Sequence, residues 1–285
     1  VITRFAPSPT GLLHLGHAFA ALVAHDLARA HGGSFLLRFE DIDHTRVRPE
    51  FYLAIEDDLR WLGLTWDGVP VRQCSDPRRA CYAGALEQLI CAGAVYPCFC
   101  TRKSIDAELA GLAQAPHGPE GPNYPGTCRS LDGSQRADLI AAGTPHSWRL
   151  DSAAAAAIAG PLVFNDLIHG PQTVVPALLG DVILARKDIG TSYHLAVVVD
   201  DASQQVTHVT RGDDLLASTH VHRLLQAILD LPAPHYLHHP LVCDAAGRRL
   251  AKRDQSLALL TLRHQGATPA SLRALLPPVP KITRP

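Results

Sequence analysis

The chain is expected to fold as an α/β protein on a Rossmann-type parallel sheet, and three segments carry that expectation. Val1 to Phe5 has the β-branched and aromatic bias of a strand, Gly16 to Ala30 is an Ala/Leu-rich helical stretch, and Ser34 to Glu40 (S-F-L-L-R-F-E) reads as a second, buried strand. Strand, helix and strand make a βαβ unit whose crossover is right-handed, so the parallel strands bring Arg4 and Glu40 to one sheet edge. Ligands of such sheets bind beyond the carboxyl ends of the strands, where Phe5 to Ser8 and Glu40 to Asp43 fall.

The turn between the first strand and the helix is the most informative segment. The run P-S-P-T-G cannot continue a strand, and the helix start that follows offers unpaired backbone N–H groups to an anion. Gly16 has no side chain to hold a base or ribose away, and the imidazoles of His14 and His17 can hydrogen-bond phosphate oxygens. Taken alone, H-x-G-H is the pattern of a surface βα loop with two solvated histidines. With the strand, turn and helix start around it, the segment looks like a nucleotide site.

Further along, Glu50 to Leu62 is a helical pattern ended by Gly63, and Arg78 to Ala94 is a second helix. Thr101 to Pro125 is rich in Gly and Pro, as in an inserted unit held by something other than a large core. Asp151 to Ala159 reads as a surface helix; Asp181 to Ala185, Leu195 to Asp200 and Gln205 to Thr210 read as strands, and Ser218 to Leu229 as a helix. A turn at Ala245 to Gly247, the basic run R-R-L-A-K-R and a short helical tail close the chain. The organisation expected is a first Rossmann half over residues 1–97, an inserted subdomain over 98–180, a second Rossmann half over 181–240, and a loop with a helical tail over 241–285.

With 285 residues and 47% hydrophobic content, the chain can bury one sizeable core and a smaller second unit. A net charge of −1 marks no global nucleic-acid binder, so any RNA contact must come from local basic patches. No apolar run reaches membrane-spanning length and no signal-peptide pattern precedes the first strand, which points to a cytoplasmic enzyme with no membrane partner. Seven cysteines, an odd number, do not suggest a disulfide framework.

Two clusters carry chemistry on residue type alone. After the second strand, R-F-E-D-I-D-H-T-R gathers Arg38, Glu40, Asp41, Asp43 and Arg46; Glu40 can read an ammonium group while Asp41 and Asp43 hold neighbouring arginines. Cys98, Cys100 and Cys128 place three thiols around a loop with little core of its own, as in a structural zinc site. Zinc needs a fourth ligand, and His117 is a candidate on general chemical grounds. Cys74, Cys81, Cys91 and Cys243 read as small buried or partly exposed residues.

The string R-F-A-P-S-P-T-G-x-L-H-x-G-H resembles the first signature of the class I aminoacyl-tRNA synthetases, in the form used by the glutamyl branch. The resemblance runs from Arg4 to Arg253 and includes W-L-G-L-x-W-D-G and H-x-P-L-V. It implies a catalytic domain that binds ATP and activates glutamate as its adenylate. Arg4, Phe5, Ala6, Pro7 and Ser8 would line the glutamate side, with Glu40 on the α-amino group and Tyr193 and Arg211 on the substrate; Arg4 and Arg211 are the cations for its second carboxylate. His14, Gly16 and His17 would face ATP. Residues 249–253 match the second signature, with Lys252 on the catalytic lysine and Arg249, Leu250, Ala251 and Arg253 around the nucleotide. Here Arg249 replaces a lysine and Ala251 a serine, so one hydroxyl is missing. His14, His17 and Lys252 are the catalytic residues so implied, with Mg²⁺ accompanying ATP.

Short paralogues of this branch bind zinc through a C-x-C … Y-x-x-x-C set, which Cys98, Cys100, Tyr124 and Cys128 match. A discriminating glutamyl-tRNA synthetase carries on the order of 100 to 200 further residues to read the anticodon. The sequence runs about thirty residues past Lys252, so no such domain is expected. The expectation is therefore a monomeric short paralogue that transfers glutamate to queuosine at the wobble position of tRNA(Asp), gripping the anticodon stem-loop. A catalytic fragment that charges tRNA(Glu), and a non-catalytic paralogue that senses glutamate or nucleotide, are the alternatives.

Overall fold

A computed structural model describes residues 1–111, 117–118, 121–243 and 258–280. Strand β1 (Ile2–Phe5) leads through the Pro/Gly turn into helix α1 (Leu15–Ala30), which returns to strand β2 (Ser34–Phe39). β1 and β2 pair in parallel, with Arg4 opposite Leu36. The connection is tight because a side chain at Gly33 would meet the carbonyl oxygen of Val1 at 1.8 Å. Helix α2 (Pro49–Trp61), begun by a proline that lacks only an N–H the first turn leaves unused, leads to β3 (Val71–Arg72) beside β2 and to helix α3 (Asp76–Cys91).

Strand β4 (Val95–Cys98) and helix α4 (Arg102–Gly111) come next, then the two-residue strands β5 (His117–Gly118) and β6 (Gly121–Pro122). Helix α5 (Gly133–Ala141), strand β7 (Ser147–Leu150), helix α6 (Ser152–Ala159), the hairpin of β8 (Val163–Asp166) and β9 (Gly170–Thr173), and strand β10 (Ile183–Ala185) complete the middle of the chain. β7 lies between β4 and β10, antiparallel to both, in a separate three-stranded sheet.

Helix α7 (Tyr193–Ser203), strand β11 (His208–Gly212), helix α8 (Leu216–Ile228) and strand β12 (His235–His239) rebuild the parallel architecture, and helices α9 (Leu259–His264) and α10 (Pro269–Leu275) follow. β12 pairs in parallel with both β11 and β8. β11 lies beside β1, tied to it where the Thr207 N–H donates to the Ile2 carbonyl at 3.0 Å. The parallel strands thus form two sheets, β1-β2-β3 and β11-β12-β8, set side by side through β1 and β11, in the Rossmann-type arrangement expected. Phe19, Leu37, Ile55 and Leu59 centre one apolar core, which Leu259 and Leu272 join from α9 and α10; Leu184, Leu195, Leu224 and Tyr236 centre a second.

Leu195 to Asp200 is not the strand its sequence suggests but the body of α7. A continuous apolar run has no readable period, and Leu195, Ala196, Val197 and Val198 are all buried, so strand and helix leave the same trace in sequence. The stretch 151–159 is a helix as read, yet Ser152 and Ala155 face the interior. Among the described residues no helix is long and apolar enough to cross a membrane.

Candidate active site

The carboxyl end of β1 opens into a turn that is fixed from two sides. The Glu40 N–H donates to the Pro7 carbonyl at 3.0 Å and the Arg48 N–H to the Pro9 carbonyl at 3.1 Å, which binds the A-P-S-P segment to the end of β2 and to the start of α2. At the start of α1 the histidines cap each other's backbone. His14 Nδ1 accepts from the Gly16 N–H at 3.1 Å, and His17 Nδ1 from the His14 N–H at 3.2 Å, with the rings 3.8 Å apart. A β-carbon at Gly16 would stand 3.0 Å from the His14 ring, so glycine at this position protects the imidazole's place as well as leaving room above the turn. Ala258 bridges back to His14, and the Leu259 N–H donates to the Leu13 carbonyl at 2.8 Å. Arg249, Leu250, Ala251, Lys252 and Arg253 lie outside the described residues.

Arg4, Phe5, Ala6, Pro7, Ser8, Glu40, Tyr193 and Arg211 line one cavity of about 440 Å³, together with His17. β1 and its turn supply the first five, Glu40 follows directly on β2, α7 begins with Tyr193, and β11 carries Arg211. A side recess of about 180 Å³ shares Ser8, Glu40 and Tyr193 and adds Thr10, Asp43, Arg46 and Arg186. One carboxylate and two guanidinium groups therefore face a common space, as a zwitterion with a second acid group would require.

A buried ion network holds these groups. Asp201 Oδ1 accepts from Arg4 Nε at 3.0 Å and from Arg38 Nη1 at 2.7 Å, while Arg38 Nη2 reaches Glu40 at 3.4 Å. Asp200 meets Arg78, the Tyr82 hydroxyl and the Gln73 amide. Burial raises the carboxyl pKa of Glu40, an effect that Arg38 and Arg4 only partly offset. Burial pushes Asp201 upward too, but Arg4 and Arg38 outweigh it and hold that carboxyl below its usual range. Arg211 has different company: Tyr193, Thr219, His222 and His238 surround it. Sequence reading passed over Asp200, Asp201, His222 and His238; the D-D pair closing an apolar run is the only trace of the first two.

Asp43 ties Arg46 and Arg186, each at 3.3 Å, as a carboxylate that holds arginines. Asp41 does not share that role. It is buried and accepts from the Tyr52 hydroxyl of α2 at 2.6 Å and the Cys74 N–H at 2.8 Å. Asp213 accepts from His169 Nε2 at 2.8 Å.

Away from this cavity, Cys98, Cys100 and Cys128 bring their sulfurs within 4.8 Å of one another, a group able to hold a metal ion. Tyr124 Oη lies 3.3 Å from Cys100 Sγ and 3.5 Å from Cys98 Sγ, so four donor atoms converge. Burial pushes the Cys100 thiol up to about 11, whereas burial at Cys128 is outweighed by hydrogen bonds from Tyr124 and the Phe99 N–H, which hold that thiol below its usual range. Zinc–sulfur bonds of about 2.3 Å suit a sulfur set this compact, and the donors fit that ion. His117 lies on β5, and its side chain falls outside the described residues. Cys81, Cys91 and Cys243 are exposed and Cys74 half-buried.

A parallel sheet with a capped helix start at its carboxyl edge, opening on a cavity of opposed charges, is the catalytic architecture of a nucleotide-dependent α/β enzyme. The family described as tRNA synthetases class I (E and Q), catalytic domain, matches residues 1–276, and the chain belongs to it. A Glutamyl-Q tRNA(Asp) synthetase of Rhodobacter capsulatus is 52% identical over 280 residues, covering 97% of this chain and 99% of that protein. The protein of the same name from Symbiobacterium thermophilum is 44% identical, covering 94% and 83% respectively. A crystal structure of a glutamate tRNA ligase from Elizabethkingia meningosepticum, in complex with its amino acid, superposes with a TM-score of 0.75 at 32% identity over 89% of this chain. The chain spans about half of that ligase, 52% of its length. Methionyl-tRNA synthetase of Mycobacterium tuberculosis shares the fold, with a TM-score of 0.58 at 10% identity.

Proposed function

We propose that the chain activates L-glutamate with ATP as glutamyl-adenylate and transfers the glutamyl group to queuosine at the wobble position of tRNA(Asp). The observation that carries the first half is the cavity in which Glu40, Arg4 and Arg211 face one space. Glu40 would take the α-ammonium and Arg211 the side-chain carboxylate, with Tyr193 and the backbone of Phe5 to Ser8 shaping the walls. His14, Gly16 and His17 would receive the ATP phosphates at the start of α1. Mg²⁺ accompanying ATP would neutralise phosphate charge there. Lys252, with Arg249, Leu250, Ala251 and Arg253, would meet the departing pyrophosphate; the return of the chain to His14 at Ala258 supports that reading. In-line attack of the glutamate α-carboxylate on the α-phosphorus forms the adenylate and expels pyrophosphate. A queuosine hydroxyl then attacks the adenylate carbonyl and releases AMP.

The acceptor half rests on the names of relatives matched over most of their own length. An open cleft of about 770 Å³, lined by Arg102, Arg149, Arg186 and Lys187 with Asp106 and Asp188 among them, supports it, because Arg186 also lines the recess beside Glu40. An anticodon stem-loop crossing these cations would bring its modified base to that recess. In this reading zinc, on Cys98, Cys100, Cys128 and Tyr124, shapes one wall of the cleft, residues 98–180 form the RNA-facing unit between two Rossmann halves, and the enzyme works in the cytoplasm as a monomer. The test is charging of tRNA(Asp) with labelled glutamate, with and without queuosine, against tRNA(Glu). Labelling confined to the queuosine-containing tRNA is expected; charging of tRNA(Glu) with indifference to queuosine would sink the acceptor assignment.

A further inference from the structure

Arg211 is 5% exposed and lines the cavity, and every group it touches is neutral or able to be. Its Nε donates to His238 Nε2 at 3.3 Å, Nη1 to His222 Nδ1 at 3.1 Å and to the Tyr193 hydroxyl at 3.4 Å, and Nη2 to Thr219 Oγ1 at 2.6 Å. Among the described residues it forms no ion pair, whereas Arg4 and Arg38 both reach Asp201.

The hydrogen bonds dictate the protonation of both rings. A guanidinium N–H can donate only to an imidazole nitrogen with a free lone pair, so His238 Nε2 and His222 Nδ1 carry no proton. Each ring's proton then sits on its other nitrogen, and each of those has an acceptor. His238 Nδ1 faces Asp166 Oδ2 at 2.6 Å, and His222 Nε2 faces His194 Nδ1 at 3.1 Å. Asp166 is fixed in turn by the backbone N–H groups of Ile168 at 2.9 Å and His169 at 2.8 Å. Burial, with Arg211 alongside, lowers the pKa of His222 and of His238, which keeps both rings neutral.

We propose that His222 and His238 are specificity-determining positioning residues: two neutral acceptors, each locked in one tautomer by the partner behind it, aim Arg211 into the cavity without neutralising it. The bound amino acid's side-chain carboxylate then supplies the missing counter-charge. The proposal rests on the reading of that amino acid as glutamate. A carboxylate in either ring's place could accept the same hydrogen bond, but it would pair with Arg211 permanently and make the substrate's own acid group surplus. With imidazoles, a neutral glutamine leaves the buried guanidinium without its counter-ion, and discrimination against glutamine follows from that omission.

The decisive comparison is His222→Asn against His222→Asp, side chains of nearly equal size that differ in charge. Both offer an oxygen close to the place of Nδ1. The readout is glutamate-dependent ATP–pyrophosphate exchange with tRNA(Asp) present, with KM and kcat for glutamate and for glutamine, beside thermal unfolding of each variant. His222→Asn should keep the KM for glutamate within about 3-fold of the unaltered enzyme, and His222→Asp should raise it about 30-fold or more and erase the preference over glutamine. kcat should change less than KM in both. His238→Gln against His238→Glu makes the same comparison at Nε2, should an aspartate at 222 not fold. Equal effects of the neutral and charged replacements, or retained selectivity in the charged ones, would overturn the proposal. An unaltered enzyme that shows no exchange with glutamate would instead remove the substrate reading on which it rests.

Discussion

The Nε–H of Arg4 is bonded to Asp201 at 3.0 Å, across the join between β1 and α7. Sequence offers two arginines, Arg4 and Arg211, for the second carboxylate of the substrate, and this bond separates them. Arg4 already shares a counter-ion with Arg38, and its Nη1 donates to the Thr210 carbonyl at 3.2 Å. Arg211 is ringed by hydroxyls and imidazoles instead, which supports the proposal that it meets the anionic side chain.

Arg211→Lys should therefore act on recognition. It keeps the charge but loses the fork that donates in two directions, so the KM for glutamate is expected to rise about 10- to 100-fold with little change in thermal stability. Arg4→Ala should behave differently, lowering stability as well as activity because Asp201 loses a buried partner. Steady-state exchange kinetics beside melting curves distinguish the two. Equal destabilisation by both substitutions would contradict the separation.

Acid should act through Glu40. Its carboxyl pKa is raised by burial, and a neutral acid cannot pair with the substrate ammonium. As pH falls through that raised value, kcat/KM for glutamate should decline, starting above the pH at which an ordinary glutamate protonates, about 4.3. The bound ammonium favours the charged form, so the corresponding limb in kcat should lie at lower pH. Glu40→Gln should abolish this limb while lowering activity throughout; a limb unchanged in that variant would assign it to another group.

Asp201 is the stability counterpart. Removal of its charge by Asp201→Asn leaves two buried guanidinium groups without their shared partner, at a cost of about 3 to 5 kcal/mol at neutral pH. Its folded pKa is depressed, so this contribution is full above the unfolded value, about 3.9, and is lost as pH falls through the folded one. Urea unfolding at several pH values should show the gap between Asp201→Asn and the unaltered protein narrowing only below about pH 4.

The parts of this site that sequence reveals are those made by neighbours in the chain. β1, α1 and β2 follow from one change of hydrophobic period, and their adjacency already brings Arg4, Ser8 and Glu40 together. The supports of Arg211 come from 11 and 27 positions away, and only the pairing of β11 with β12 and the packing of α8 brings them together. α7 was illegible as a helix because its burial is nearly complete, and its two aspartates are legible as ion-pair partners only once the helix carries them inward. β4 (V-Y-P-C), β7 (S-W-R-L) and β8 (V-F-N-D) interrupt their apolar residues with Pro, Arg, Asn or Asp, and β12 is rich in histidine, so none shows a strand pattern.

Zinc binding should depend on Tyr124 and also on a residue that is no ligand. Three thiolates and a phenolate around a divalent ion leave two surplus negative charges in a half-buried site, which need an outer partner. Arg149 is placed to be that partner: its Nε donates to Cys98 Sγ at 3.3 Å, its guanidinium lies 3.9 Å from the centre of the Tyr124 ring, and its Nη1 is anchored to the Asp181 carbonyl at 2.7 Å. The Cys128 N–H donates to Tyr124 Oη at 2.9 Å, which directs that oxygen toward the sulfurs. Tyr124→Phe should weaken zinc about 10- to 100-fold in competition with a chelator, and Arg149→Met should weaken it by a comparable factor while every ligand remains. Cys100→Ser should abolish stoichiometric zinc. Measured by metal content after dialysis, unchanged affinity in Tyr124→Phe would leave the three cysteines needing another fourth ligand, and unchanged affinity in Arg149→Met would show that the surplus charge is balanced by solvent alone.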